Sequence, residues 1–353
     1  MFNKIEIERF RGIKHVCIKG FKNINLFFGK NNCGKSSLLE SLFLASGLSN
    51  PVLPIKINGM RDFFGTPLKD LKSIFYNLED LELIFYNLDS TKPISIQLEN
   101  EEKRNLNISI EKSTNIISLN RSNSDTSSNL LESKYGLKYD FNIKDRTFSS
   151  KLIFDSTNPE NSSLEKDDEY EEKLRCRYLG PKFSFDESRQ GLNSIIKNKD
   201  EDFIVEGLKI IEPRVRDFKL TDKGIFVDMG FKKRIPINMM GDGIRKIIAL
   251  LTTIYDCKNG VVLIDEISNG FHYSVMQNLW KVLINAAIKN NTQLFVSTHD
   301  LDSIKGFRDA TLNKYNNEVA AFSLVKTLND ELKAFHYSVE SLDYALEQNS
   351  EMR

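Results

Sequence analysis

Alternating apolar and charged positions dominate the first 30 residues. KIEIERF (4–10) and KHVCIKGF (14–21) alternate, whereas NINLFFG (23–29) is mostly apolar and ends in glycine. A period of two is typical of a half-buried strand, and a continuous apolar run is typical of a strand buried on both faces. The pattern predicts two antiparallel strands that lead into a buried strand.

Helical spacing follows at SSLLESLFLASGL (36–48), where the leucines and the phenylalanine share one face and Gly47 ends the pattern. From 82 to 154, short β-forming segments alternate with polar clusters, which predicts a lobe of antiparallel hairpins. These segments are LELIFYNL, PISIQLE, NLNISIE, TNIISLN, LKYDFNI and FSSKLIF. Residues 120–129 are predicted to be a disordered tip, and 156–173 a solvated acidic linker.

Strands alternate with helices in the last part of the chain. Residues 186–212 have a helical pattern, and the strands VRDFKL and GIFVDMGF follow. Next come the helix IRKIIALLTTIYDC, the strand GVVLIDEI, a helix around VMQNLWKVLINAAIKN and the strand TQLFVSTHD. This alternation predicts parallel strands that are connected by helical crossovers.

The composition is that of an ordinary globular protein. Of 353 residues, 40% are hydrophobic and 28% charged, and 49 basic residues balance 49 acidic ones. Zero net charge argues against a uniformly basic nucleic-acid binder, although a local basic patch stays compatible with it. The four cysteines lie far apart, the start does not resemble a signal peptide, and no apolar run approaches the length of a membrane span. We therefore expect a cytoplasmic protein with reduced thiols and no membrane partner.

Residues 29–36 read GKNNCGKS and match the phosphate-loop pattern G-x-x-x-x-G-K-[ST]. The glycines allow positive φ and a close approach of the backbone, so that N–H groups can point at phosphates. Lys35 is predicted to reach the β- and γ-phosphates of a nucleotide, and Ser36 to offer its hydroxyl to Mg²⁺. The candidate nucleotide-binding residues are Gly29, Lys30, Asn31, Asn32, Cys33, Gly34, Lys35, Ser36 and Ser37.

Two strand ends supply candidate catalytic groups. Asp265 and Glu266 follow the apolar run VVLI, at the edge where α/β sheets bind ligands. We expect Asp265 to hold Mg²⁺ through water and Glu266 to polarise the attacking water. His299 ends the next strand at the same edge and can contact the γ-phosphate, although a single histidine is more often structural.

A second glycine-rich helix start lies at Gly241, Asp242 and Gly243 in MMGDGIRK. In isolation it is a turn in which Asp242 caps the helix. It also forms a second anion site, because a helix N-terminus attracts negative charge. Two phosphate sites with one set of acidic residues indicate two nucleotides held between two subunits.

These motifs resemble the ABC-type ATPase domains of the OLD, RecF and SMC-like group, most closely stand-alone OLD-family AAA ATPases. The segments that carry the resemblance are IERFRGIK, GKNNCGKSS, MGDGIRK, LIDEISNGFHYS and STHD. It implies an ABC-ATPase-like P-loop NTPase fold, with ATP and Mg²⁺ as cofactors. It also implies that the signature Gly241–Gly243 docks on the γ-phosphate held by a partner subunit, and that Arg9 and Arg11 lie near the base or the phosphates.

The expected class is α/β, with an N-terminal antiparallel sheet, a parallel core sheet with helices, and an inserted β-rich and helical lobe. One split ATPase domain would span 1–353. Its expected parts are a phosphate-loop half (1–50), the inserted lobe with its tip and acidic linker (51–185), a helical and strand segment leading to the signature (186–240), and a half with the signature, the Asp-Glu strand and the histidine (241–353).

Some features of the resembled families are absent from this sequence, and the position of the glutamine loop is undecided. There is no heptad repeat for coiled-coil arms, and the signature is GDG rather than the LSGGQ of transporters, which disfavours a transporter ATPase. Gln97 and Gln190 are both candidates for the glutamine loop. OLD nucleases carry a C-terminal Toprim domain, for which residues 300–353 are too few.

The resemblance thus implies an ATP-hydrolysing switch that dimerises around ATP. We expect a homodimer or higher oligomer that works with a separately encoded effector, a nuclease or toxin, in bacterial anti-phage defence. The alternative is a RecF-like repair clamp on duplex DNA, for which KFSFDESRQ, EPRVRDFK and FKKRIP offer a local basic patch. Nucleic-acid binding therefore stays open at this point.

Overall fold

The computed structural model describes residues 1–61, 78–100, 102–118, 129–155, 162–181, 189–222, 224–327, 329 and 331–348. The strands are β1 (Lys4–Phe10), β2 (Ile13–Lys19), β3 (Ile24–Phe28), β4 (Ile94–Glu99), β5 (Lys103–Ser118), β6 (Asn129–Ile143), β7 (Arg146–Asp155), β8 (Ser162–Glu165), β9 (Cys176–Leu179), β10 (Asp217–Thr221), β11 (Gly224–Asp228), β12 (Ile235–Pro236), β13 (Val261–Ile264), β14 (Gln293–Thr298), β15 (Val319–Lys326) and β16 (Leu332–Tyr337).

The helices are α1 (Lys35–Ser46), α2 (Leu53–Met60), α3 (Leu78–Glu82), α4 (Arg189–Lys197), α5 (Glu201–Ile211), α6 (Asp242–Asp256), α7 (Met276–Asn290), α8 (Leu301–Thr311) and α9 (Val339–Glu347). In the part of the chain covered by these elements and their connections, no helix combines the length and the apolar character that crossing a membrane requires.

The core of the molecule is a six-stranded sheet with the order β16-β15-β3-β14-β13-β9. Its strands are parallel except for β16, which forms an antiparallel hairpin with β15. Strands β3, β13 and β14 are buried at every position, which explains why none of them alternates apolar and polar residues. The predicted α/β class is confirmed, with parallel core strands connected through helices.

Successive residues of the core strands face two different hydrophobic cores. On β14, Leu294 and Val296 belong to the core with the C-terminal helices, whereas Phe295 faces the N-terminal side. On β3, Phe27 joins the same N-terminal core as Phe295. This division follows from the period of two in a strand, and it lets one sheet carry layers on both faces.

A seven-stranded antiparallel sheet, ordered β2-β1-β4-β5-β6-β7-β8, forms the second layer. The strands of the predicted insertion therefore extend the N-terminal sheet, because β4 pairs directly with β1. Helix α1 packs against strands of both sheets and is buried on nearly all sides. One part of the predicted 51–185 lobe differs, since β9 lies within it and pairs with β13 at the edge of the core sheet.

Some local predictions are wrong. LELIFYNL (81–88) is not a strand, because Asn87 and Leu88 both have positive φ (54° and 58°) and end extended pairing. NLNISIE and residues 114–118 of TNIISLN lie on the single long strand β5, whose pairing with β6 continues through the polar residues between them. Residues 119 and 120 lie outside the described residues. The predicted acidic linker contains the short exposed strand β8. Of the predicted tip, only Asn129 is within the described residues, at the start of β6.

Candidate active site

The phosphate loop connects β3 to α1, and its backbone conformation explains its glycines. Gly29 and Gly34 have φ of 151° and 101°, and Asn32 has φ of 65°. A Cβ atom at Gly29 would also overlap the carbonyl oxygen of Leu324. Positive φ favours glycine and asparagine, so the sequence fits the turn that this loop makes. Such a turn directs successive N–H groups into one concavity, which suits an anion.

Lys35 begins helix α1 with its ammonium group at the centre of the loop. The residue is only 5% exposed, and Nζ donates to the carbonyl oxygens of Gly29 (3.0 Å) and Lys30 (3.1 Å). The charge is therefore held inside the loop, beside the helix N-terminus. Burial raises the pKa of the neighbouring Cys33 thiol, which keeps it protonated and makes it a packing group.

Asp265 follows β13 and is fixed by two hydroxyl groups. Its Oδ1 accepts from Ser297 Oγ (2.5 Å), its Oδ2 accepts from Tyr178 Oη (3.1 Å), and the residue is 2% exposed. Burial, and then the nearby charge of Asp265, raise the pKa of Tyr178 well above its usual range. The phenol thus stays protonated and donates to the carboxylate, which holds Asp265 in one orientation.

Glu266 lies between a cation and an imidazole. Its Oε1 is 3.9 Å from Lys35 Nζ, and its Oε2 is 2.6 Å from His299 Nδ1. The backbone of Glu266 has a positive φ of 56°, and its N–H donates to Ser297 Oγ (2.9 Å). A non-glycine residue in this conformation is strained, and such residues cluster at functional sites. The carboxylate can therefore act as a positioned base next to the phosphate loop.

The topology explains why these groups meet. Strand β14 lies between β3 and β13 and is parallel to both, so the phosphate loop, His299 and Asp265 follow neighbouring strand ends. Ligands of α/β proteins bind at this carboxyl edge. His299 thus directly follows the strand that neighbours the strand ending before Asp265, at the same edge of the sheet, as the sequence predicts.

A cleft of about 460 Å³ opens over the loop. Its lining includes Asn31, Asn32, Cys33, Gly34, Lys35, Ser36, Ser37, Glu266, Arg11 and Arg61. It is also lined by Gly12, Ile13, Leu83, Phe85, Asn87, Leu88, Lys326 and Leu332, of which Leu332 and Ile13 lie beside Gly34 of the loop. The cleft thus combines cationic groups and backbone N–H groups with apolar side chains.

Arg11 lines this cleft, and its guanidinium group is paired with the buried carboxylate of Glu40. Nε of Arg11 and Nε of Arg61 each lie 2.6 Å from an oxygen of Glu40 on α1. Arg11 also donates from NH2 to Asn58 Oδ1 (2.9 Å). Burial lowers the pKa of Arg11 to about 10 and raises that of Glu40, and the opposite charges offset part of this cost. Arg9, in contrast, is not among the residues that line the cleft.

Sequence reasoning missed the roles of several residues in this site. The sequence does not predict the partners Glu40, Arg61, Tyr178 and Ser297. A glutamate inside the apolar run SSLLESLF was a usable signal for a buried ion pair. The other contacts join residues that are far apart in the sequence.

The signature Gly241–Gly243 lies at the exposed start of α6 and is not among the residues that line the cleft. The expected capping role of Asp242 is wrong, because Gly241 is the N-cap and no side-chain cap is formed. Asp242 lies in the first turn, with Oδ1 3.4 Å from NH1 of Arg245. Gln97, a glutamine-loop candidate, is exposed on β4 and also lies outside the cleft lining, whereas the side chain of Gln190 is not described.

A strand, a phosphate loop, a helix and an acidic strand end in this arrangement define a P-loop NTPase. The family model described as "AAA domain, putative AbiEii toxin, Type IV TA system" matches residues 24–304. The chain belongs to this AAA-domain family, and it is an ATPase.

The chain is also similar to individual proteins. It is 23% identical to an "ATP/GTP phosphatase" of Helicobacter pylori over 86% of this chain and 87% of that protein. An uncharacterised protein of Methanocaldococcus jannaschii is 40% identical over 18% of this chain and 57% of its own length. Among solved structures, an SMC head bound to the C-winged helix domain of ScpA has 13% identity and a TM-score of 0.48, covering 98% of this chain and 99% of that chain. The SMC head domain from Thermotoga maritima has 11% identity and a TM-score of 0.42, covering 96% and 99%.

ATPases of this class use a divalent cation, and the donors present fit Mg²⁺. The hydroxyl of Ser36 lines the cleft, and the carboxylate of Asp265 ends the second strand from the loop. Hard oxygen donors of this kind are the ligands that Mg²⁺ prefers, often through water. When bound, Mg²⁺ neutralises charge on the β- and γ-phosphates.

Proposed function

We propose that this ATPase is a switch in which two copies of the chain close around ATP. The supporting observation is that neither signature glycine is required by the backbone conformation or the packing around it. Gly241 has an ordinary φ of −54°, and a Cβ there would meet nothing within 4 Å. A Cβ at Gly243 would only make an ordinary contact with Phe271 (3.5 Å). The chain's own fold therefore does not require either glycine, whereas a phosphate brought by a second subunit does need bare backbone at this helix start.

In this function each chain contributes two different surfaces. The loop around Lys35 holds the phosphates, Asp265 supports the cation, and Glu266 takes the proton from the attacking water. His299, beside Glu266, senses the state of the γ-phosphate. The signature of the opposite subunit closes the site, so that hydrolysis releases the dimer.

We further propose that the switch acts on a separately encoded effector in an anti-phage defence system, as in stand-alone OLD-type ATPases. The description of the matched family, which names a toxin of a type IV toxin–antitoxin system, supports such a partnership. A dimer that opens and closes with ATP gives an effector two distinct surfaces to bind.

Glu266→Gln tests the switch directly, since it keeps the shape of the side chain and removes the base. We expect ATP hydrolysis to slow by about two to four decades while ATP binding persists. With ATP and Mg²⁺, the variant should elute as a dimer in size-exclusion chromatography with light scattering. Lys35→Ala is the matched control and should remain a monomer under the same conditions. A Glu266→Gln variant that stays monomeric with bound ATP, or hydrolyses at the wild-type rate, would contradict the proposal.

A further inference from the structure

The backbone turn that follows Glu266 is bonded to the signature helix α6 by a lysine. Nζ of Lys246, in the second turn of α6, donates to the carbonyl oxygen of Asn269 (2.7 Å). The backbone N–H of Asn269 in turn donates to the carbonyl oxygen of Glu266 (3.1 Å). One residue, Asn269, therefore connects the ammonium group of Lys246 with the backbone of the proposed base.

The packing around this bond is tight. Gly270 has φ of 78°, and a Cβ atom there would lie 2.6 Å from Nζ and 3.1 Å from Cε of Lys246. A side chain at this position would be strained and would displace the ammonium group. Next to it, a Cβ atom at Gly243 would lie 3.5 Å from the ring of Phe271. Residues 266–271, which we call the linking turn, thus lie directly against the signature helix.

The linking turn is also hydrogen-bonded to the end of β14. The backbone N–H of Ile267 donates to the carbonyl oxygen of Ser297 (3.1 Å), and Oγ of Ser268 lies 3.3 Å from Oγ1 of Thr298. Glu266, the first residue of the turn, has a positive φ of 56°, which a non-glycine residue adopts at a cost. Contacts with β14 and with α6 together hold the turn in that conformation.

The link to α6 uses a charged group in a half-buried position. Burial lowers the pKa of Lys246, and the charge of Asp242 raises it in part. Burying an ammonium group is unfavourable unless the group is hydrogen-bonded, and here it bonds to a main-chain carbonyl of the turn. Apolar packing of Phe271 would join the two elements without this cost, which indicates that the lysine serves to fix where the turn lies.

We propose that Lys246 is a positioning residue that couples the signature to Glu266, and thereby couples the two ATP sites of the dimer. The inference rests on the proposed function, in which each signature closes the site of the opposite subunit. The start of α6 then belongs to one site, and Glu266 of the same chain belongs to the other. Because Lys246 bonds the linking turn to α6, a shift of this helix on closure of one site also moves the backbone of Glu266 in the other.

Lys246→Met tests the coupling, since methionine keeps much of the aliphatic chain and removes the hydrogen-bond donor. Steady-state hydrolysis is measured over a range of ATP concentrations, and ATP affinity with a fluorescent analogue. We expect a Hill coefficient above one for the wild type and about one for the variant, with kcat lowered about tenfold. ATP affinity of the isolated subunit should be unchanged, because the phosphate loop is not altered.

Gln277→Met is the matched control. Nε2 of Gln277 on α7 donates to the carbonyl oxygen of Asp309 on α8 (3.2 Å), so this side chain also bonds one element to the main chain of another. The control should keep the wild-type kcat and Hill coefficient. A thermal melt of each variant checks that it is folded.

A double-mutant cycle separates positioning of Glu266 from a general effect on stability. If Lys246 acts through the carboxylate of Glu266, Lys246→Met should change single-turnover hydrolysis little once Glu266→Gln is present. An equal loss in both backgrounds would overturn the coupling. So would a wild-type kcat and Hill coefficient in Lys246→Met, or an equal loss in Gln277→Met.

The proposed function fails in a different way. If Glu266→Gln forms no dimer with ATP and Mg²⁺ in light scattering, the shared site is wrong, and the coupling of two sites is wrong with it. If that dimer forms while Lys246→Met behaves as the wild type, only the coupling is wrong.

Discussion

The phosphate loop and the signature are both glycine-rich helix starts, but their glycines serve different needs. A Cβ atom at Gly29 would overlap the carbonyl oxygen of Leu324, whereas a Cβ atom at Gly241 would meet nothing within 4 Å. Beside the loop, Glu266 contacts Lys35 and His299, whereas the signature is exposed and lies outside the cleft lining. In the proposed function, the loop side is one half of an ATP site, and the exposed signature is the surface that completes the site of a second subunit.

The largest expected effect lies on the loop side. Lys35→Ala removes the ammonium group that lies at the centre of the phosphate loop, and ATP affinity should fall by about a thousandfold. Asp242→Ala, at the exposed signature, should leave ATP affinity of the isolated subunit near the wild-type value. Equilibrium binding of a fluorescent ATP analogue at low protein concentration measures both. If Lys35→Ala binds ATP almost as tightly as the wild type, the phosphate loop does not differ from the signature in its contribution to ATP binding, and the comparison fails.

A smaller effect is expected from the hydroxyl that links the acidic residues. Ser297 donates to Asp265 and accepts from the backbone N–H of Glu266. Ser297→Ala removes the hydrogen bonds to the Asp265 carboxylate and from the backbone N–H of Glu266. We expect kcat to fall by about tenfold to a hundredfold and its dependence on Mg²⁺ to weaken, because residues that orient metal ligands typically contribute this much. Steady-state hydrolysis over a Mg²⁺ titration measures this.

Ser46→Ala is the control for that variant, because Ser46 is also a buried serine and its hydroxyl donates to the carbonyl of Leu42 on α1 (2.7 Å). It should keep the wild-type kcat and Mg²⁺ response. Equal losses in the two variants would show that Ser297 acts through general stability rather than through Asp265 and Glu266.

The sequence predicts the carboxyl edge of the core sheet well because apolar runs and the phosphate-loop motif are local features. Continuous apolar runs predict β3, β13 and β14, and parallel neighbours place their carboxyl ends together. The glycine positions of the phosphate loop follow from its φ angles. Motif and strand order are therefore enough to bring Lys35, Asp265 and His299 to one edge.

Contacts between distant segments could not be predicted in this way. Glu40 meets Arg11 and Arg61 only because α1 packs between the two sheets. LELIFYNL has the β-forming composition of a strand, but its docking on the β1–β2 turn imposes positive φ at Asn87 and Leu88 instead. In both places tertiary packing overrides the local pattern.

The central claim is that each ATP site is shared by two subunits, and mixing two inactive variants tests it most directly. Gly243→Arg should fold, since a Cβ there meets only ordinary contacts and the helix start is exposed, and the variant should bind ATP but neither dimerise nor hydrolyse it. Lys35→Ala should bind no ATP. In a mixed dimer one site carries both defects and the other carries neither, so hydrolysis should return to about half of the wild-type rate per dimer. Two variants that stay inactive when mixed, or a Gly243→Arg monomer that hydrolyses ATP normally, would contradict the shared site.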